Sequence, residues 1–318
     1  MDEKKEKILV TGGAGYIGSV LVGHLLQRGY QVTVLDNLLY GQASLSHYAV
    51  HTNFNFVRGD VRDEAVIKKL LKDNDVIFPL AAIVGAPACD RDPYTAKTVN
   101  YEAIALLNRL RSTNQRVIFP NSNSGYGRTT GEVYCTEETL LEPISLYGQT
   151  KVNAEKELLT KPNTIVLRLA TVFGPSPRMR LDLLVNDFVY RAVNYKYIIY
   201  FEKTKDFKRN FIHIDDVAEC FCFCLEHFDD MKGEAYNLGL NEANISIAEL
   251  AAKIKEHIPD VYLGTADIGD DPDKRNYIVS NAKINKKGFT AQRSLDEGIE
   301  QLISWCRMLP PTARFRNA

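Results

Sequence analysis

Residues 11–19 read TGGAGYIGS. They follow a short apolar run, KILV (7–10), and lead into YIGSVLVGHLLQRGY (16–30), whose apolar positions recur at helical spacing until Gly29. Gly12, Gly15 and Gly18 therefore stand at G-x-x-G-x-x-G spacing between a strand and a helix. Glycine there permits a tight turn, lets backbone approach a pyrophosphate and allows close helix–sheet packing, while the helix N-terminus favours negative charge. Alone, such a loop equally describes a simple strand–helix turn. The next strand gives it weight. QVTVLDN (31–37) is a second β-rich run that reaches Asp36. A carboxylate at that point can accept both hydroxyls of an adenosine ribose and repels a 2′-phosphate. No arginine comes closely after Asp36, so the pattern favours NAD over NADP.

Further along, apolar runs alternate with helical stretches. FNFVRGD (54–60), DVIFPLAA (75–82), RVIFPNS (116–122) and NTIVLRLA (163–170) read as strands. EAVIKKLLKDN (64–74), NYEAIALLNRLRSTN (100–114) and SLYGQTKVNAEKELL (145–159) read as helices. Near-continuous apolar strands alternating with helices predict a parallel sheet covered on both faces, the doubly wound α/β (Rossmann) class. After about residue 172 the rhythm loosens into FGPSPRMRLDLL (173–184). The expected division is an NAD-binding domain over 1–172, to which 212–232 return, and a smaller, mainly substrate-binding annex over 173–318. MDEKKEK (1–7) and PPTARFRNA (310–318) read as solvated tails.

The chain has 318 residues, with Lys+Arg 39 against Asp+Glu 40 and a formal charge of −1. No global field recruits nucleic acid or a membrane surface. No leader pattern and no apolar run of bilayer length is evident, and the six cysteines lack the spacing of a disulfide framework. A reducing, cytoplasmic setting is expected. Cys220, Cys222 and Cys224 lie in DDVAECFCFCLEHF (215–228). Positions i, i+2 and i+4 spread around a helix, so these thiols read as core and not as metal ligands.

In SLYGQTK (145–151), Tyr147 and Lys151 are four apart on a predicted helix and share a face. An ammonium beside a phenol lowers its pKa, so the phenolate can take a proton from an alcohol as hydride leaves the same carbon. Such a pair also occurs on purely structural helices. The chain order of the glycine loop, Asp36, Ser122 at the end of a strand, Tyr147 and Lys151 is what singles it out.

With these motifs in place, the chain resembles the extended short-chain dehydrogenases/reductases of the NAD-dependent sugar-nucleotide epimerase/dehydratase family. The resemblance runs from TGGAGYIGS through YGQTK (147–151) to RNFIHIDDVAE (209–219). It implies NAD as cofactor, a nucleoside diphosphate sugar as substrate, and catalysis by Ser122, Tyr147 and Lys151. Implied cofactor contacts are Gly12, Gly15, Tyr16, Ile17, Gly18, Asp36 and Asn37, then Asp60 and Val61, then Leu80, Ala81 and Ala82. Asn100, Tyr147 and Lys151 complete that set. A diphosphate calls for paired guanidinium groups or backbone donors. By family position Arg209 and Arg275 are the clamps, with Arg178 and Arg180 as further candidates, although each also reads as a solvated surface arginine. The family's R-x-x-N-x-Y-G-P corresponds to Arg168–Pro175, where Thr171 replaces the amide as a substrate contact. A homodimer through helices that include the Tyr–Lys helix is the family default.

FPNSNSGYG (119–127) separates the possible reactions. Sugar-nucleotide 4,6-dehydratases carry Asp-Glu directly after the catalytic Thr or Ser. Asn123 and Ser124 stand there instead, as substrate contacts with no acid–base capacity near neutral pH, so elimination of water is disfavoured. What remains is hydride removal at C4, succeeded by its return to the other face (4-epimerase) or by release of the 4-keto sugar (dehydrogenase). LATVFGPSPRMRLDLLVNDFVYRA (169–192), with FPNSNSGYG and DPDKRNYIVSN (271–281), resembles the GDP-mannoheptose C4-dehydrogenases of bacterial capsule pathways. That implies a GDP-heptose substrate, a 4-keto product and a separate keto acid that reoxidises the cofactor. An NAD(H)-dependent sensor is the reading from another class; the intact Ser122, Tyr147 and Lys151 argue against it.

Overall fold

The computed structural model describes residues 6–127, 134–267, 276–310 and 315–317. Each of the apolar runs becomes a strand: β1 (Lys7–Thr11), β2 (Gln31–Asp36), β3 (Phe54–Arg58), β4 (Val76–Pro79), β5 (Arg116–Ser122) and β6 (Thr164–Leu169). A further strand, β7 (Glu234–Leu238), joins them in a parallel sheet of order β7-β6-β5-β4-β1-β2-β3. The near-continuous apolar strands are explained by two cores. In β1, Ile8 and Val10 enter the core on one face, while Leu9 enters the core on the other. Alternate side chains of a strand point to opposite faces, so burial on both sides leaves little room for polar residues.

Helix α1 (Tyr16–Gln27) packs along α3 (Ile214–Glu226) over the first core. Helix α2 (Leu146–Leu158) packs beside Ala103–Leu110 over the second. The Ser145 hydroxyl accepts the Gly148 N–H at 3.1 Å and starts α2, which sets the helical phase of Tyr147 and Lys151. Cys220, Cys222 and Cys224 are at most 1% exposed within α3. Among the described residues, no helix is long and apolar enough to cross a membrane.

Beyond residue 172 the chain builds smaller units. Thr171–Phe173 pairs with Lys208–His213, which in turn pairs with Asn244–Ser246. Tyr197–Phe201 pairs with Tyr262–Ala266. The return to the main sheet continues past residue 232, through β7 to Leu238. This strand was not legible in the sequence because it is short, and Glu234 and Asn237 interrupt its apolar character. The C-terminal tail also differs from expectation at residues 315–317. Leu181 N–H donates to the Phe315 carbonyl at 2.6 Å, Arg316 pairs with Asp187 at 2.8 Å, and Phe315 lies against Trp305. An aromatic ring and a cation that find partners hold this part of the tail against Leu181, Asp187 and Trp305.

Candidate active site

A cleft of about 1290 Å³ opens at the carboxyl ends of the strands, with walls from the loops after β1 and β4. The strand order reverses between β1 and β4, which is where doubly wound sheets bind their ligands. The glycine loop forms one wall because nothing larger fits. Gly12 has φ +71°, and a Cβ there would lie 2.5 Å from the Ala81 nitrogen. A Cβ on Gly18 would lie 2.5 Å from the Gly12 carbonyl oxygen. Backbone is thus packed on backbone, and Leu80, Ala81, Ala82 and Val61 line the cleft beside the loop.

Asp36 lies at the rim of this cradle. Its carboxylate accepts the Ala14 N–H at 3.0 Å and the Leu38 N–H at 2.8 Å. Burial raises its pKa, against the pull of those two donors and the nearby Arg178 charge. Asn37 accepts the Leu39 N–H at 3.0 Å and lines the cleft. Tyr16 and Ile17 line it too, but the Tyr16 hydroxyl is committed to the Gly174 carbonyl at 2.7 Å. Asp60 lines the cleft while its carboxylate receives Arg62 at 2.7 and 2.9 Å, which holds its pKa below the ordinary range. A crowded glycine cradle with a buried carboxylate at its rim fits a dinucleotide.

Asn100 and Asn123 do not line the cleft surface. Asn100 is outside the cleft lining: its side chain accepts the Ile83 N–H at 2.8 Å and donates to the Ile83 carbonyl at 2.9 Å. It shapes the segment after β4 from behind. Asn123 is 0% exposed and outside the lining as well. The short helical turn Asn123–Tyr126 rotates it inward while leaving Ser122 and Ser124 on the cleft wall.

Ser122, Tyr147 and Lys151 all line the cleft. β5 delivers Ser122 and α2 delivers the other two. The Ser122 hydroxyl oxygen accepts the Ser124 N–H at 3.2 Å and lies 2.9 Å from the Ser124 hydroxyl. Lys151 is 5% exposed, with its Nζ 3.9 Å from the centroid of the Phe119 ring. Burial pushes its pKa down to about 7, with Glu155 one turn away pulling the other way. Since the unfolded chain holds this proton up to about pH 10.4, the native state loses stability as pH falls from there towards 7. Lys151→Met is therefore expected to stabilise the fold, by on the order of 1–4 kcal/mol near pH 6.5 and by little near pH 10.5, while lowering turnover. Urea unfolding at the two pH values measures this; equal changes at both would show that Lys151 carries no such penalty.

Sequence reasoning overlooked the support behind Ser122. Asn121 accepts the Ser122 N–H at 2.8 Å and donates to Glu155, whose carboxylate pairs with Arg168 at 2.6 Å. Arg168 also donates to the Tyr126 hydroxyl and the Glu137 carbonyl, each at 3.0 Å. Asn121, Glu155 and Arg168 are at most 6% exposed. A polar residue four places beyond Lys151, on the same helical face, was the available signal.

On the substrate side, Thr171, Arg178, Arg180 and Arg209 line the cleft; Arg275 lies outside the described residues. Arg180 is paired with Asp182 at 2.6 Å. Arg209 is 3% exposed, donates to the Lys208 carbonyl at 3.0 Å and lies near the Tyr277 ring. Arg178 stacks on Tyr40, four residues beyond Asp36, with its Cζ 4.2 Å from the ring centroid.

The seven-stranded parallel sheet, the glycine cradle and the switch-point cleft define a dinucleotide-dependent α/β enzyme fold. A family model described as the NAD dependent epimerase/dehydratase family matches residues 8–239. The chain belongs to that family, whose members are NAD-dependent enzymes that modify sugar nucleotides. It is 28% identical over 314 residues to the low-salt glycan biosynthesis protein Agl12 of Haloferax volcanii, covering 94% of this chain and 97% of that one. It is 30% identical over 273 residues to the UDP-glucose 4-epimerase of Lactobacillus helveticus, covering 78% and 81%. Among solved structures, UDP-glucuronic acid 4-epimerase from Bacillus cereus, in complex with UDP-glucuronic acid and NAD, superposes with a TM-score of 0.84 at 25% identity. That match covers 95% of this chain and 99% of the other. The two epimerases are named for UDP-sugars, whereas the sequence resemblance pointed to a GDP-heptose.

Proposed function

We propose that this protein oxidises C4 of the sugar in a nucleoside diphosphate sugar and releases the 4-keto product, with Ser122, Tyr147 and Lys151 as the catalytic groups. The observation that carries the reading is their convergence on one cleft beside a dinucleotide cradle. When bound, NAD supplies a nicotinamide ring that accepts hydride. Tyr147 takes the proton of the C4 hydroxyl, Ser122 holds that hydroxyl, and the Lys151 ammonium stabilises the phenolate. Arg209, and Arg275 by family position, hold the diphosphate.

No acid comes directly after Ser122, and Ser124, the second of the two positions, already hydrogen-bonds to Ser122. Three further carboxylates on the cleft are ion-paired: Asp182 with Arg180, Asp187 with Arg191, and Asp60 with Arg62. This supports a reaction that stops at C4 over loss of water. The GDP-heptose substrate rests on the resemblance of residues 169–192 to the C4-dehydrogenases, as does the keto acid that would reoxidise the cofactor. A homodimer through the face bearing α2 is part of the same proposal.

A 4-epimerase is the second reading, favoured by the names of the relatives. A substrate carrying deuterium at C4 distinguishes the outcomes by mass spectrometry and NMR of the nucleotide sugar. The dehydrogenase gives a 4-keto sugar without label; the epimerase gives an inverted C4 that keeps it. Deuterium at C6 with loss of water would overturn the reading of Asn123 and Ser124.

A further inference from the structure

The loop that carries Arg178 is pinned to the first turn of α1. The Tyr16 hydroxyl donates to the Gly174 carbonyl at 2.7 Å and receives the Asn186 amide at 3.2 Å. The Ser176 hydroxyl donates to the Tyr16 carbonyl at 2.8 Å, lies 3.0 Å from the Ser19 hydroxyl, and accepts the Arg178 N–H at 3.2 Å. These contacts are buried, so the annex loop and the glycine cradle form one unit. Arg178 is consequently held on the cleft wall with its guanidinium over the ring of Tyr40, in the segment directly after Asp36, which lines the same cleft.

Arg178 is 2% exposed, and its Nε and Nη2 have no hydrogen-bond partner among the described residues. The titratable groups around it are Arg180, Tyr40, Asp182 and Asp36, of which the Tyr40 phenol is neutral, since burial raises its pKa. Asp182 is taken by Arg180, and the Asp36 oxygens are taken by two backbone donors. A buried guanidinium without an acceptor is costly, and a phosphate or carboxylate matches its fork of donors. The arginine missing from the sequence after Asp36 is thus supplied by the fold from a distant segment.

We propose that Arg178 is a specificity-determining residue for the cofactor: a latent reader of a 2′-phosphate at the adenosine end of the cleft, held in check by Asp36. With the carboxylate present, the site takes a ribose diol and rejects the doubly charged group. With the carboxylate removed, the same guanidinium faces the 2′ position unopposed. The proposal rests on the NAD cradle and is independent of which sugar the enzyme oxidises.

The test is calorimetric titration of NAD and NADP into the unmodified protein, Asp36→Ser, Arg178→Met and Asp36→Ser/Arg178→Met, with thermal unfolding of each variant to confirm the fold. Asp36→Ser is expected to bind NADP about tenfold or more tighter than the unmodified protein, with a gain that shrinks as salt rises. Adding Arg178→Met is expected to abolish that gain, while Arg178→Met alone leaves NAD the preferred dinucleotide. Should Asp36→Ser/Arg178→Met bind NADP as well as Asp36→Ser does, or should Asp36→Ser gain nothing, the inference fails and the NAD cradle stands. An unmodified protein that bound neither dinucleotide would sink both together.

Discussion

Tyr147→Phe is expected to lower turnover by about 10²–10⁴-fold, the usual contribution of a positioned acid–base group. The substitution keeps the ring and removes only the hydroxyl. The glycine cradle lies in the loop after β1 and Asp36 ends β2, so NAD affinity should change little. Steady-state kinetics with a nucleotide sugar, together with calorimetric titration of NAD, separates the two effects. Near-normal turnover would mean that another group takes the proton. A fall in NAD affinity that accounted for the whole loss would make Tyr147 a cofactor contact and nothing more.

The largest stability effect is expected at Arg168. Arg168→Met leaves the Glu155 carboxylate buried without its guanidinium partner, and strips donors from Tyr126 and Glu137. Breaking a buried pair from one side costs about 3–5 kcal/mol, because the remaining charge stays desolvated. Glu155 also holds Asn121, which holds the Ser122 backbone, so turnover should fall with stability. Adding Glu155→Gln to Arg168→Met should recover part of the lost stability by removing the stranded charge. Urea unfolding of the two variants and the unmodified protein measures this. A loss below about 1 kcal/mol in Arg168→Met would show that water or a neighbouring group compensates the carboxylate.

The sequence alone was sufficient for six of the seven strands of the sheet and for the cofactor cradle, and the reason is local. A strand buried on both faces must be apolar along its length, as VIF (76–78) and VIF (117–119) are. A loop with backbone packed on backbone must be glycine where Gly12 and Gly18 stand. Tyr147 and Lys151 were legible for the same reason, since four residues on a helix fix a shared face.

Contacts between distant segments were not legible, because pairing across the fold leaves no mark on residue spacing. β7 was missed since its place depends on β6 and not on its own pattern. The inward turn of Asn123 comes from the short helical turn after β5, whereas spacing alone treated it like Ser124. The tail at 315–317 read as solvated until Leu181, Asp187 and Trp305 supplied its partners. The arginine near Asp36 is the clearest case. Spacing showed none close behind Asp36, and only the anchoring of the annex loop to α1 brings Arg178 there.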